Sequence, residues 1–266
     1  MRSIWNGTIS FGLVHIPVKL YPGTRSQELH FHYLHKRDSG RIKNERICTK
    51  CGQEVEANEL VRGYEVEQGR HVTLTEEDFK KVDSESTHTL VLETFVDPTE
   101  IDPIFFNKPY YLAPEEKSLH LYAVLHEALK RTQKVGIAKL AFHEREHLVA
   151  IKSSGRALML DILYFADEIA PPKGLLLPKN NEQPADEEVE MAEQLIGQMT
   201  DHFAPTQYRD TYREGLFTLI EKKRDGEKIR LKPQTRREAT EQRELLATLK
   251  ASIQKAEGKR KRALAA

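Results

Sequence analysis

Over 266 residues, 41 Lys and Arg balance 41 Asp and Glu, and the 39% hydrophobic content is enough for a sizeable core. No apolar run approaches the roughly 20 residues of a membrane span. The N-terminus lacks the long apolar stretch of a signal peptide, and Cys48 and Cys51 lie too close together for a secreted disulfide framework. A cytoplasmic protein is expected. The zero net charge hides a sorting along the chain. Residues 227–266 hold 12 basic against 5 acidic side chains, a net of +7, leaving 29 against 36 in the rest, a net of −7.

Taken in order, the chain opens on apolar alternation at Trp5, Ile9, Phe11 and Leu13, with Gly7 in the one gap. That is the period of a half-buried strand. The parity then flips to Val14, Ile16, Val18 and Leu20, which requires a bend or a second strand, and Gly12 supplies the permissive backbone. Pro17 cannot donate to a ladder, so this second strand is expected at an edge or starting there. Residues 28–70 alternate briefly at Leu29, Phe31 and Tyr33 and then become polar and glycine-broken. They are too long for a hairpin turn, and we read them as an inserted excursion with short strands.

Alternation returns from Tyr64 to Leu74. Thr75 followed by Glu76, Glu77 and Asp78 starts a short helix through Phe79 and Val82. Strands are expected around Leu90–Val96 and Tyr110–Leu112. A helix over about 117–134 has Ser118 as its cap, a stripe at Leu121, Tyr122, Leu125 and Leu129, and Gly136 as its stop. A β-meander through Ile137, Leu140, Phe142, Leu148–Ile151 and Leu158–Leu163 closes the sheet. Pro171-Pro172 ends this domain, and 171–184 is a linker. Two helices follow, at about 185–203 with Val189, Ala192, Leu195, Ile196, Met199 and Phe203 on one face, and at about 206–224 with Tyr208, Tyr212, Leu216, Leu219 and Ile220. They could pack on their own barrel or embrace a second subunit. The fold class is α+β, mainly β: a barrel over 1–170, a helical arm over 185–226, and a basic tail over 227–266.

Four features carry candidate chemistry. His143-Glu144-Arg145-Glu146-His147 fits the H-E-x-x-H pattern of a zinc hydrolase, which needs a helix to set both imidazoles on one face. Here it lies between two strand-like runs, and an exposed turn is the simpler account. Cys48-x-x-Cys51-Gly52 follows His32-x-x-His35, and four such ligands could close a structural zinc site or build a zinc-ribbon interaction module. Redox use lacks the surrounding βαβ pattern. Lys36, Arg37, Arg41, Lys43, Arg46 and Lys50, with Arg62 beyond, form a basic cluster in an acidic body, against only Asp38 and Glu45. Such a sign bias suits phosphate backbone. The tail has a thin helical stripe at Leu246, Leu249, Ile253 and Ala256 and a basic patch at Lys259–Arg262. No phosphate-cradling loop, helix-turn-helix or catalytic set is apparent.

The opening run SIWNGTISFGLVHIPVKLY, with RGYEVEQGRHVTLTEEDF, KPYYLAPEE and LYFADEI further on, resembles the bacterial Ku proteins, the DNA-end-binding factors of non-homologous end joining. The resemblance implies a non-catalytic homodimer whose residues 28–70 bridge the duplex, so that linear DNA threads a ring near the nucleoid. It also implies that the terminal region, here Arg236, Arg237, Arg243, Leu246 and Leu249, recruits the multifunctional ligase D. No cofactor is required on this reading.

Overall fold

The computed structural model describes residues 1–82, 88–142, 145–178, 184–226 and 247–255, in two compact units, Met1–Pro172 and Lys173–Ala266. In the first unit, β1 (Trp5–Phe11) and β2 (Val14–Pro22) form the antiparallel hairpin that the parity flip requires, turning at Gly12 with φ +58°. Trp5 and Ile9 face inward from β1, and Ile16, Val18 and Leu20 from β2, whereas Phe11, Leu13 and Val14 at the turn are exposed. Gly7 is more than a gap. A Cβ there would collide with the Trp5 ring and with the carbonyl of His88, the residue before the neighbouring strand.

Five more strands complete the wall: β5 (Thr89–Val96), β6 (Phe106–Pro114), β7 (Val135–Phe142), β8 (Arg145–Ser154) and β9 (Ala157–Leu163), numbered after β3 and β4 of the inserted segment described next. The order is β1-β2-β6-β9-β8-β7-β5, and a parallel pairing of Thr8–Ser10 with Thr89–Val91 closes the circle. The barrel is thus a closed mainly antiparallel sheet, with helices added. Pro17 is not at an edge. It pairs with Thr8 on one side, while the pairing of β2 with β6 begins only at Val18, so its missing N–H costs no ladder bond to β6.

Between β2 and β5, residues 23–88 leave and rejoin the barrel, a wider span than 28–70. They contain β3 (Arg62–Glu67) paired with β4 (Arg70–Leu74) in a separate two-stranded sheet, and α1 (Glu76–Val82). Thr75 and Asp78 bond reciprocally at the start of α1, as the sequence suggests. No described residue from 24 to 89 is buried.

The helix α2 runs over Leu119–Thr132 and buries Tyr122, Leu125 and Leu129 in the barrel's main cluster with Ile9, Leu112, Ile151 and Leu160. Three local expectations change here. Leu121 lies off the buried stripe, at the surface. Ser118 precedes the helix but caps no amide; its hydroxyl donates to the carbonyls of Pro17 and Glu115. The stop is Gln133, in the left-handed region at φ +53°, while Gly136 belongs to β7, where a Cβ would sit 2.6 Å from Leu92 Cδ2. Ile137 likewise parts from Leu140 and Phe142. It joins Val135, Ala150 and Leu163 in a second cluster on the opposite face of the wall, covered by Ile101 and Phe105.

The second unit holds α3 (Asp186–Met199), α4 (Thr211–Arg224) and a helical stretch over 247–255. Met191 is buried there, whereas Ile196, Met199, Phe203, Tyr208 and Tyr212 from the expected stripes are exposed. Phe203 and Tyr208 stack at 5.8 Å between the helices.

One buried hydroxyl ties α2 to the wall. Tyr122 Oη donates to the Leu112 carbonyl and accepts from the Leu158 amide, both at 2.6 Å, at the last register pair of β6 and β9. Removing it strands two backbone groups in the core. Tyr122→Phe should therefore cost about 1–3 kcal/mol, read as a lower denaturant midpoint at unchanged slope. An unmoved midpoint would mean that the strand ends pair without the hydroxyl.

Candidate nucleic-acid interface

The inserted segment is built from two tight turns and a hairpin. In the first turn, Leu34 bridges to Arg41, and the His35 amide donates to the Gly40 carbonyl at 2.8 Å. Asp38 fills the turn: one carboxylate oxygen accepts from the Gly40 amide and lies against His35 Nδ1, both at 2.9 Å. The Gly40 amide and then His35 hold the Asp38 carboxyl below its ordinary range. The acid is thus consumed by the turn, and Lys36 and Arg37 on it project into solvent.

In the second turn, Ile47 bridges to Glu54. The Cys48 amide donates to the Gln53 carbonyl, and the Gly52 amide returns to the Cys48 carbonyl at 2.8 Å. Gly52 takes φ +71°, which a side chain would resist. The backbone amides of Cys51 and Lys50 point at the Cys48 sulfur and pull its thiol down from the usual range. Arg41, Lys43, Arg46 and Lys50 are all exposed. Lys43 meets Glu45 at 3.3 Å across open solvent, a pair worth little that a phosphate can displace. Arg62 opens β3, its guanidinium stacked 4.7 Å from the Phe79 ring centre, which holds one cation of the cluster in place.

The structure does not bring the four expected metal ligands together. His35 is held by Asp38, and among the described residues no three His, Cys, Asp or Glu side chains form a metal-binding group. The hydrolase pattern fails on local structure. His143 and Glu144 lie outside the described residues, but Arg145, Glu146 and His147 belong to β8 rather than to a turn or helix. His147 pairs with Leu140 across the ladder, and its Nε2 is 3.2 Å from the Phe142 carbonyl. A strand sets alternate residues on opposite faces, so it cannot supply the helical i, i+4 geometry. In the tail, Arg236, Arg237, Arg243 and Leu246 lie outside the described residues, while Leu249 and Ile253 are half-buried in the helical stretch 247–255.

One feature of this surface escaped the sequence reading. Phe31, Tyr33, Ile42, Ile47, Val61 and Tyr64 are all exposed along the same segment as the cations. Their density within a stretch carrying so many charges was the available signal.

A closed seven-stranded barrel interrupted by a basic, coreless segment is a recognisable architecture. The family model of the Ku70/Ku80 beta-barrel domain matches residues 10–191, and the chain belongs to the Ku family. Among its relatives, a protein named non-homologous end joining protein Ku from Opitutus terrae is 42% identical over 255 residues, covering 95% of this chain and 91% of its own length. Proteins of the same name from Solibacter usitatus and Archaeoglobus fulgidus are 39% and 38% identical. They cover 97% and 86% of this chain and 96% and 90% of their own lengths.

The Asp38 turn titrates in a predictable direction. A carboxyl depressed in the folded state stabilises the turn above its unfolded pKa, and that support is lost as pH falls through the folded pKa. The Gly40 amide resonance should therefore titrate with a midpoint below the ordinary Asp range, and the titration should vanish in Asp38→Asn. A midpoint at or above that range would mean that the carboxylate does not hold the turn.

Proposed function

We propose that this protein binds the ends of linear double-stranded DNA as a non-catalytic homodimer in non-homologous end joining. The observation that carries the reading is the inserted segment: Lys36, Arg37, Arg41, Lys43, Arg46, Lys50 and Arg62 all exposed, on a stretch with no buried residue, within a body of net charge −7. Such a surface attracts phosphate locally while the rest of the body repels it. Base-reading elements are not needed for this. Contacts to backbone hold a duplex in place without selecting its sequence, as a factor acting on broken ends requires. The names of the relatives support the same pathway.

In the proposed mechanism, the inserted segments of two copies close a ring through which linear duplex threads, and their Lys and Arg side chains replace condensed counterions. The exposed Phe31, Tyr33 and Ile42 of the segment, and Phe203, Tyr208 and Tyr212 of the second unit, suit burial against a second copy. The held end is then presented to a DNA ligase of the ligase D type, recruited through the terminal region that includes Arg236, Arg237, Arg243, Leu246 and Leu249. No helix among the described residues is long and apolar enough to cross a membrane, and we place the protein in the cytoplasm at the nucleoid.

Threading is tested with linear and covalently closed circular duplex of one sequence. Linear DNA should be retained and closed circles should not, and equal binding to both would overturn the ring. Each phosphate neutralised contributes roughly 0.9 to the slope of log affinity against log salt. Reversing Arg41, Lys43 and Arg46 to Glu should flatten that slope by about 2–3 units, alike on every sequence. An unchanged slope would move the DNA path off this segment.

The second unit gives an independent check on assembly. Deleting the chain from Pro184 onward should yield monomer or aggregate in sedimentation, whereas an intact soluble dimer would place the interface elsewhere.

A further inference from the structure

We propose that Cys48 and Cys51 are half of a structural zinc site, completed by the same two cysteines of a second copy on the two-fold axis of the dimer. The inference rests on the homodimer reading above and adds a site which neither copy holds alone.

The geometry of the second turn motivates it. The two thiols stand three residues apart on a knuckle closed by the Gly52-to-Cys48 and Cys48-to-Gln53 hydrogen bonds, with Gly52 at φ +71° and open space where its Cβ would be. Amides of Lys50 and Cys51 directed at the Cys48 sulfur are the outer contacts that orient a metal-bound thiolate. Both cysteines are free, Cys51 exposed and Cys48 half-exposed, so the chain neither buries nor cross-links them.

Among the described residues the other half is missing. Structural zinc takes four ligands in a tetrahedron, and among the described residues no third ligand joins the pair. His35, the sequence's own candidate, is committed to Asp38 at 2.9 Å. A two-fold contact brings the same patch of both copies together, and only what lies on the axis meets its own counterpart, so a knuckle placed on the axis doubles two thiolates into four. Ile42 and Ile47, 53% and 61% exposed close by in the chain, would gain cover in the same contact. On binding, each of the four thiols gives its proton to solvent and its sulfur to the metal, and Arg46 and Lys50 offset the negative charge that results.

The test uses the full chain, loaded with zinc under reducing conditions, freed of excess metal and analysed for bound zinc, with sedimentation and end binding measured on the same samples. We expect about one zinc for every two chains. Cys48→Ser and Cys51→Ser should lose it, His32→Ala and His35→Ala should keep it, and circular dichroism should show the barrel folded in all four. Cobalt substitution should give the absorption of an all-thiolate tetrahedral site. One zinc per chain, dependence on His32 or His35, or no zinc at all would overturn the shared site. A metal-free dimer that still retains linear DNA would do so while leaving the proposed function standing. A monomer without end binding would remove both.

Discussion

The barrel depends on one short contact, the parallel pairing of Thr8–Ser10 with Thr89–Val91. Every other neighbouring pair in the wall is antiparallel. Because β5 lies on the far side of β1 from β2, the chain has only to step over one strand to close the sheet, a distance of about 10 Å at ordinary strand spacing. It uses residues 23–88 instead. Closure therefore fixes where the segment starts and ends but demands nothing of what lies between. Long connections of this kind are usually functional, and this one carries the densest basic cluster of the body.

The composition of the segment follows from that freedom. A stretch with no buried residue gains nothing from the barrel's core, yet it keeps Phe31, Tyr33, Ile47 and Tyr64 in water. In a self-sufficient loop those positions would be polar. They stand in water beside the exposed Arg41 and Arg46, so one surface carries both apolar area and positive charge. The turns themselves are made by backbone bonds and by Asp38, not by packing, so charges on them can change without disturbing the core.

Much of the barrel was legible because its signal is periodic. The parity change at Gly12 requires the first hairpin, and the stripe at Tyr122, Leu125 and Leu129 requires α2, since both record one buried face. The errors arose where two faces are buried. Ile137 is apolar because segment 97–105 covers the outside of β7, and nothing in the strand's own pattern says which cluster each residue joins. Gly136 resembles a helix stop but is small because Leu92 and Phe95 press on it, a neighbour fixed only by the β5–β7 register. In the inserted segment the cations were readable as a charge bias. The contact of His35 with Asp38 was not, because spacing along the chain cannot say which neighbour an imidazole takes.

The buried core and the basic cluster of the body therefore sit on separate parts of one chain. The main cluster is drawn from the strands and α2 and includes no residue from 23–88, so the barrel's folding free energy and the ordering of the segment are nearly independent quantities. Substitutions in the segment should act on binding with little effect on the barrel's unfolding, while core substitutions should do the reverse. The separation also has a cost. The segment is held by its own backbone bonds, its turns and the β3–β4 pair with no core behind them, so any further ordering on contact is subtracted from the affinity of that contact. A first contact that ordered the segment further would remove this cost for the next one. Assembly and end binding would then be coupled with no need for the barrel to change shape.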